Sequence, residues 1–153
     1  MALQFTLNGE LRKVEAVSPT TTVLDYLREN AGLTGTKEGC AEGDCGACTI
    51  VLAETVDDKT SHKAVNSCLL MVPQLAGKHV ITVEGLGGDD EQLDPVQEAM
   101  VKTDGTQCGF CTPGIIMSLY ALRQSDKPAT DGMIHDHLAG NLCRCTGYRP
   151  IVE

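Results

Sequence analysis

Gly39-Cys40-Ala41-Glu42-Gly43-Asp44-Cys45-Gly46-Ala47-Cys48 is the stretch on which the fold turns. Its three cysteines stand as Cys-x4-Cys-x2-Cys, and a fourth, Cys68, comes after nineteen intervening residues. This is the plant-type spacing for a 2Fe–2S cluster. A loop that aims three thiolates at one point needs backbone freedom, which Gly39, Gly43 and Gly46 supply. It also lets amide N–H groups approach the sulfurs and stabilise their negative charge. Zinc is the alternative metal, although zinc loops usually pair cysteines as C-x2-C at both ends. A disulfide is the third way to use the same thiols.

Outward from the loop, towards the N-terminus, Leu3, Phe5 and Leu7 alternate as on a strand. Asn8-Gly9 is a hairpin turn, and Leu11 to Ala16 is the returning strand. Val23, Leu24 and Leu27 recur at helical spacing, with Gly32 placed to close the helix. Beyond the loop, Thr49–Ala53 is a strand and polar residues 54–63 form a hairpin excursion. Ala64 to Val72 is apolar and holds Cys68, and Val80–Val83 is a last short strand. Together these predict a small sheet wrapped on a helix. Residues 85–92 are Gly-rich and acidic, which marks a boundary. The chain beyond that boundary reads as helical. Asp94-Pro95-Val96-Gln97 predicts a capping box with Pro at the first helical position. Thr112-Pro113 repeats the cap-then-Pro device before Ile115, Ile116, Leu119 and Leu122. A third helix is predicted from about Asp131 to Ala139, and a fourth begins near Gly147, with the chain stopping inside it.

Composition sets the outer bounds. The 153 residues carry 12 basic against 21 acidic side chains, a formal charge of −9, which argues against nucleic acid as a partner. No apolar run approaches the roughly 20 residues that span a bilayer. Met1-Ala2-Leu3-Gln4 lacks the basic and apolar regions of a signal peptide. A soluble, cytoplasmic protein without membrane contact is therefore expected. In that compartment eight cysteines point to metal before disulfides. The hydrophobic content of 42% supports a packed core, and with no Trp and five other aromatics that core is expected to be aliphatic. Two halves of about 75 residues would each be marginal on burial alone, and four thiolates per half supply a staple.

The second set of thiols is Cys108-x2-Cys111, thirty-one intervening residues, and Cys143-x-Cys145. Cys108 and Cys111 sit just before the helix expected to be capped by Thr112. The positive end of that helix would face an anionic cluster. Alone, Cys108-x2-Cys111 also fits a redox dithiol. The Cys-x-Cys partner, and the division of all eight thiols into two sets of four, weigh against that.

Lys37–Cys48, Gln107-Cys108-Gly109-Phe110-Cys111-Thr112-Pro113-Gly114 and Gly140-Asn141-Leu142-Cys143-Arg144-Cys145-Thr146-Gly147-Tyr148 resemble the small iron–sulfur subunit or domain of the molybdenum hydroxylases. That family includes xanthine dehydrogenase, aldehyde oxidoreductases and carbon monoxide dehydrogenase. Ala64-Val65-Asn66-Ser67-Cys68 and Leu138-Ala139-Gly140-Asn141 look nearest in flavour to bacterial xanthine dehydrogenase. The resemblance implies an α+β chain. A β-grasp, plant-type ferredoxin-like domain (1–84) is joined by a linker (85–93) to an all-α four-helix bundle domain (94–153). Each domain would bind one 2Fe–2S cluster, the first through Cys40, Cys45, Cys48 and Cys68, the second through Cys108, Cys111, Cys143 and Cys145.

The same resemblance implies an electron-transfer role in an oxidoreductase, with no catalytic centre in this chain. Electrons would pass from a molybdopterin centre on a large partner subunit, through both clusters, to FAD. Gln107 and Cys145 are the residues expected nearest the pterin. The flavin would belong to a separate subunit or to a missing C-terminal domain, and ending within a helix favours truncation. A free diffusible plant-type ferredoxin explains the first thiol set and the charge but not residues 94–153. A zinc-stapled interaction module is the third class. His135 and His137 are two apart and would face different ways on a helix. Arg144 either tunes a cluster, contacts a partner or is simply exposed. Met71, Met100, Met117 and Met133 read as core, and Asp89-Asp90-Glu91 as a solvated linker.

Overall fold

Asn8 and Gly9 adopt positive φ angles of 49° and 86°, the left-handed pair that a two-residue I′ turn requires. They join β1 (Leu3–Leu7) to β2 (Glu10–Val14) in an antiparallel hairpin. Asp57 and Asp58, with φ of 51° and 60°, do the same between β3 (Thr49–Val56) and β4 (Lys59–Asn66). β5 (His79–Ile81) lies between the hairpins, parallel to β1 and antiparallel to β3. The sheet order is β2-β1-β5-β3-β4. This computed structural model describes residues 2–88 and 92–153. The linker reading of Asp89-Asp90-Glu91 falls outside the described residues.

One face of the sheet carries Phe5, Leu7, Ile50, Leu52 and Val80. Against it packs a short helix. The Thr22 hydroxyl caps α1 (Val23–Asp25), accepting from the Asp25 amide at 3.1 Å. The chain continues as one π-turn, Tyr26–Asn30, in which the Ala31 amide reaches back to the Tyr26 carbonyl at 2.9 Å. The predicted helix is therefore shorter and wider than a regular amphipathic one, though Gly32, at φ 69°, does come just after its end. Val23 and Leu27 are fully buried there, and each such side chain contributes about 1.5–3 kcal/mol. The core is mainly aliphatic, yet Phe5 and Tyr26 meet in it edge to face at 5.8 Å.

The other face is not left to solvent. Thr49 to Ala53 are all buried, because Val51 and Ala53 point away from the first core into a second one with Ile81, Met117 and Ala121. Unbroken burial of this kind requires cover on both faces. α3 (Thr112–Arg123) supplies that cover, lying across β3 and β4 with Tyr120 edge-on to His62.

α2 (Pro95–Lys102) and α4 (Asp131–Leu138) pack against α3, and α5 (Arg149–Val152) against α4, around Met100, Ile115, Ile116, Leu138 and Ile151. Asp94 and Gln97 form the predicted capping box, at 2.9 Å to the Val96 amide and 3.0 Å from the Asp94 amide. The start of α3 differs from the expected cap at Thr112. Its N-cap position is Cys111, without a side-chain cap bond, and the Thr112 hydroxyl pairs with Thr106 at 2.6 Å. Thr112 is already helical, so its hydroxyl is too far along the chain to act as the cap. Met100 and Met117 are core, whereas Met71 and Met133 are only half-buried. No helix among the described residues is long and apolar enough to cross a membrane.

Candidate iron–sulfur sites

In the first loop the backbone is folded back onto two sulfurs. Gly43 and Gly46 take φ of 79° and 75°, which turns successive amides inward. The amides of Asp44, Cys45 and Glu42 donate to Cys40 Sγ at 3.2, 3.3 and 3.4 Å. Those of Cys40 and Ala47 donate to Cys45 Sγ at 3.4 and 3.5 Å. Gly39 serves differently from the other two glycines. Its φ is ordinary, but a Cβ there would stand 2.7 Å from Cys45 Sγ. The Asn66 amide donates to the Gly43 carbonyl at 3.1 Å and ties the loop to the end of β4.

Electrostatics divide the first set. The Glu42, Cys45 and Asp44 amides bring the Cys40 thiol down from its ordinary value to about 7. Burial pushes Cys68 up to about 11, and its hydrogen bond with Cys48 adds to the rise. Cys48 and Cys68 lie inside a small core with Leu24, while Cys40 and Cys45 are half-buried. The set thus consists of an amide-rich pair near solvent and a dry pair beneath it.

The second set is assembled from a helix start and a C-terminal loop. Cys111 sits at the N-cap of α3, and burial pushes its thiol up to about 12, helped by hydrogen bonding with Cys143. Burial also acts to raise Cys143, but hydrogen bonds from the Thr146 side chain and amide, the Cys145 amide and Cys111 outweigh it and bring the thiol to about 7. Thr146 Oγ1 lies 3.1 Å from Cys143 Sγ, and the Tyr148 hydroxyl accepts from the Cys143 amide at 2.8 Å. Tyr148 holds that position in the left-handed region, at φ 70°. Such strain in a non-glycine residue persists only where the surroundings over-determine it. Cys108 and Cys145 form the outer pair, hydrogen-bonded to one another and exposed. The Phe110 amide lowers Cys108, and the bond to Cys108 raises Cys145.

All eight thiols are free, and they pair as Cys40 with Cys45, Cys48 with Cys68, Cys108 with Cys145, and Cys111 with Cys143. No three His, Cys, Asp or Glu among the described residues converge as ligands of one ion. Two thiols per metal, in two adjacent pairs, is what a binuclear cluster needs, and the inward amides suit its negative sulfurs. The donor sets fit.

Gln107 is exposed beside Cys108, and Arg144 is exposed beside Cys145. A concavity of about 450 Å³ opens here, with Phe110, Leu142, Arg144 and Tyr148 around the thiols. Phe110 and Leu142 are 47% and 56% exposed, so this end presents apolar surface. Spacing missed Thr146 and Tyr148 as supports of Cys143, although both lie in the stretch that carried the resemblance. It also missed Asn66. None of the three carries a local signal of its partner.

Two family models each match one part of the chain. Residues 5–73 match the family described as "2Fe-2S iron-sulfur cluster binding domain", and residues 82–153 that described as "[2Fe-2S] binding domain". The chain is 50% identical to xanthine dehydrogenase of Oryza sativa subsp. japonica over 150 residues, covering 96% of this chain and 11% of that protein. It is equally 50% identical to aldehyde oxidase 2 of Cavia porcellus, over 99% of this chain and 12% of that one. The chain thus spans about a ninth to an eighth of these relatives' length. Among solved structures, quinoline 2-oxidoreductase from Pseudomonas putida 86 superposes with a TM-score of 0.87 and 36% identity, covering 99% of this chain and 88% of that one. Aldehyde oxidoreductase from Desulfovibrio gigas gives 0.88 and 36%, covering 99% of this chain and 16% of that one.

Proposed function

The chain belongs to the iron–sulfur family of the molybdenum hydroxylases, and from that premise we propose that it relays electrons within such an enzyme, between a molybdopterin centre and FAD. Cys40, Cys45, Cys48 and Cys68 hold one cluster, and Cys108, Cys111, Cys143 and Cys145 the other. The thiol pairs support a partition of two sulfurs to each iron. Each cluster, when bound, supplies a one-electron acceptor. The chain's own part is to position the thiolates, set their charge with amides and hydroxyls, and hold the two loops together.

One observation carries this reading. The Leu142 amide donates to the Cys45 carbonyl at 2.9 Å. Leu142 adjoins Cys143, so a single hydrogen bond links a thiol residue of the first set to the neighbour of one in the second. Two independent metal staples would have no use for that contact, whereas a relay needs a short connection.

We read the N-terminal part (1–84) as a β-grasp ferredoxin-like domain, 85–93 as the linker and 94–153 as a four-helix bundle. The mixed sheet packed on α1 and the four helices after residue 94 support this. A molybdopterin-binding large subunit would cover the apolar end around Phe110 and Leu142, with Gln107 and Cys145 nearest the pterin. The FAD-binding subunit or domain would face the Cys40–Cys45 side. Xanthine dehydrogenase is the parent enzyme we favour, its substrate being set by the molybdenum-bearing part. Eight free thiols fit the cytoplasm.

Metal analysis of the purified chain tests the reading, with about four iron and four acid-labile sulfide expected per chain. Cys45→Ser and Cys111→Ser should each abolish one of two electron paramagnetic resonance signals of the dithionite-reduced protein. Zinc at one per four cysteines, without sulfide, would refute the reading.

A further inference from the structure

Given that two-site relay, we propose that Asn141 is the positioning residue that sets the separation of the two thiol loops. The residue is only 4% exposed, and its side chain joins three segments. Oδ1 accepts from the Ser118 hydroxyl on α3 at 2.6 Å. Nδ2 donates to the Gly46 carbonyl at 3.2 Å and to Thr49 Oγ1 at 3.4 Å. The Gly46 and Thr49 contacts lie on either side of Ala47 and Cys48, and the next residue after Asn141 donates to the Cys45 carbonyl. One amide therefore clamps the loop carbonyl adjacent to the bond that connects the two sets.

The amide acts where the loops already pack closely. A Cβ on Gly46 would collide with the Gly140 carbonyl and stand 2.7 Å from Asn141 Nδ2. A Cβ on Gly114 would collide with the Gly46 carbonyl. The loops thus meet backbone to backbone, with no intervening side chain to act as a spacer. A buried polar group satisfied on all sides specifies one arrangement, and an unsatisfied one is costly, so the contact has little freedom to drift. Asn141 touches no thiol and lies two residues before Cys143. Its effect is on where the loops stand, through the Gly46 carbonyl.

The test uses the iron-loaded chain. Asn141→Asp keeps the acceptor for Ser118 but removes both Nδ2 donors, and Asn141→Ala removes all three bonds. Both variants should retain four iron and both resonance signals, while the magnetic interaction between the reduced clusters weakens. Amide exchange at Leu142, read by mass spectrometry, should accelerate on the order of tenfold. Ser118→Ala removes one bond to Asn141, and Thr49→Val removes the Nδ2 contact together with the Thr49 hydroxyl's own 2.7 Å bond to the Gly46 carbonyl. Both should give smaller shifts in the same direction, and Ser118→Ala carries the comparison if Asn141→Ala does not fold. Unchanged cluster interaction and unchanged Leu142 exchange in variants that keep both clusters would overturn the assignment, as would changes that only track lost iron. A wild-type chain that binds no iron would instead overturn the relay itself.

Discussion

The two thiol loops reach the same chemical end with different shares of backbone and side chain. Around Cys40 and Cys45 five backbone amides are turned onto two sulfurs by a loop containing two left-handed glycines. Around Cys143 the Thr146 hydroxyl joins the Thr146 and Cys145 amides on the sulfur, the Tyr148 hydroxyl holds the Cys143 amide, and α3 begins beside Cys111. An amide-built site depends on backbone shape and tolerates side-chain change. A site that adds hydroxyls depends in that part on particular residues. The levers on the two redox centres should therefore be separable by mutation.

Glycine substitutions give the largest expected difference. Gly46→Ala meets both a left-handed φ and a backbone carbonyl of the other loop, and should cost ~3 kcal/mol or more. Gly109→Ala, at φ 85° with nothing within 4 Å of the added Cβ, should cost only the left-handed strain of about 1–2 kcal/mol. Urea unfolding compares them, and equal losses would mean that the loop contact contributes nothing. Tyr148→Phe comes next. It leaves the Cys143 amide without its acceptor, an expected loss of about 1–3 kcal/mol. Its resonance signature should shift at the second site alone, and a shift at both sites would break the separation of the two centres.

The smallest effect is a pH dependence in the iron-free chain. Cys40 and Cys143 are lowered to about 7, below the ordinary thiol value of 9.0. Their contribution to folding is complete above that ordinary value and lost as pH falls through about 7. Cys68 and Cys111 are raised, so theirs is present below it and lost as pH climbs towards about 11 and 12. Near neutral pH, alkylation mapped by mass spectrometry should therefore mark Cys40 and Cys143 first and Cys68 and Cys111 last. The reverse order would show that the amides and hydroxyls do not stabilise the thiolates.

Which features were legible from the sequence depends on how local their causes are. Asn8-Gly9 and the Asp94–Gln97 box hold because each is closed by residues within four positions. The spacing of the cysteines is covalent, so their grouping could be read before any folding was known. Thr112 misled because its hydroxyl found Thr106, six residues back, a partner that no capping pattern includes. The π-turn after Asp25 has no compositional mark. Thr49–Ala53 was legible as a strand, but its burial on both faces was not, because nothing local identified α3 as the second cover. Asn141 reaches Gly46 across 95 residues, a distance over which side-chain identity alone indicates no partner. The chain is as similar to a xanthine dehydrogenase as to an aldehyde oxidase, so its overall identity does not separate the two.

The two-sided burial of β3 also has a consequence in time. Ala53 leaves the ribosome 112 − 53 = 59 residues before α3 begins. At about 5–20 residues per second, the Val51 and Ala53 face stays bare for about 3–12 s of synthesis. By residue 68 the first four thiols have all been made, whereas the last of the second four waits for residue 145. Translation thus presents one complete binding set on a half-covered sheet, open to assembly factors, before the helix that will close over its far side exists.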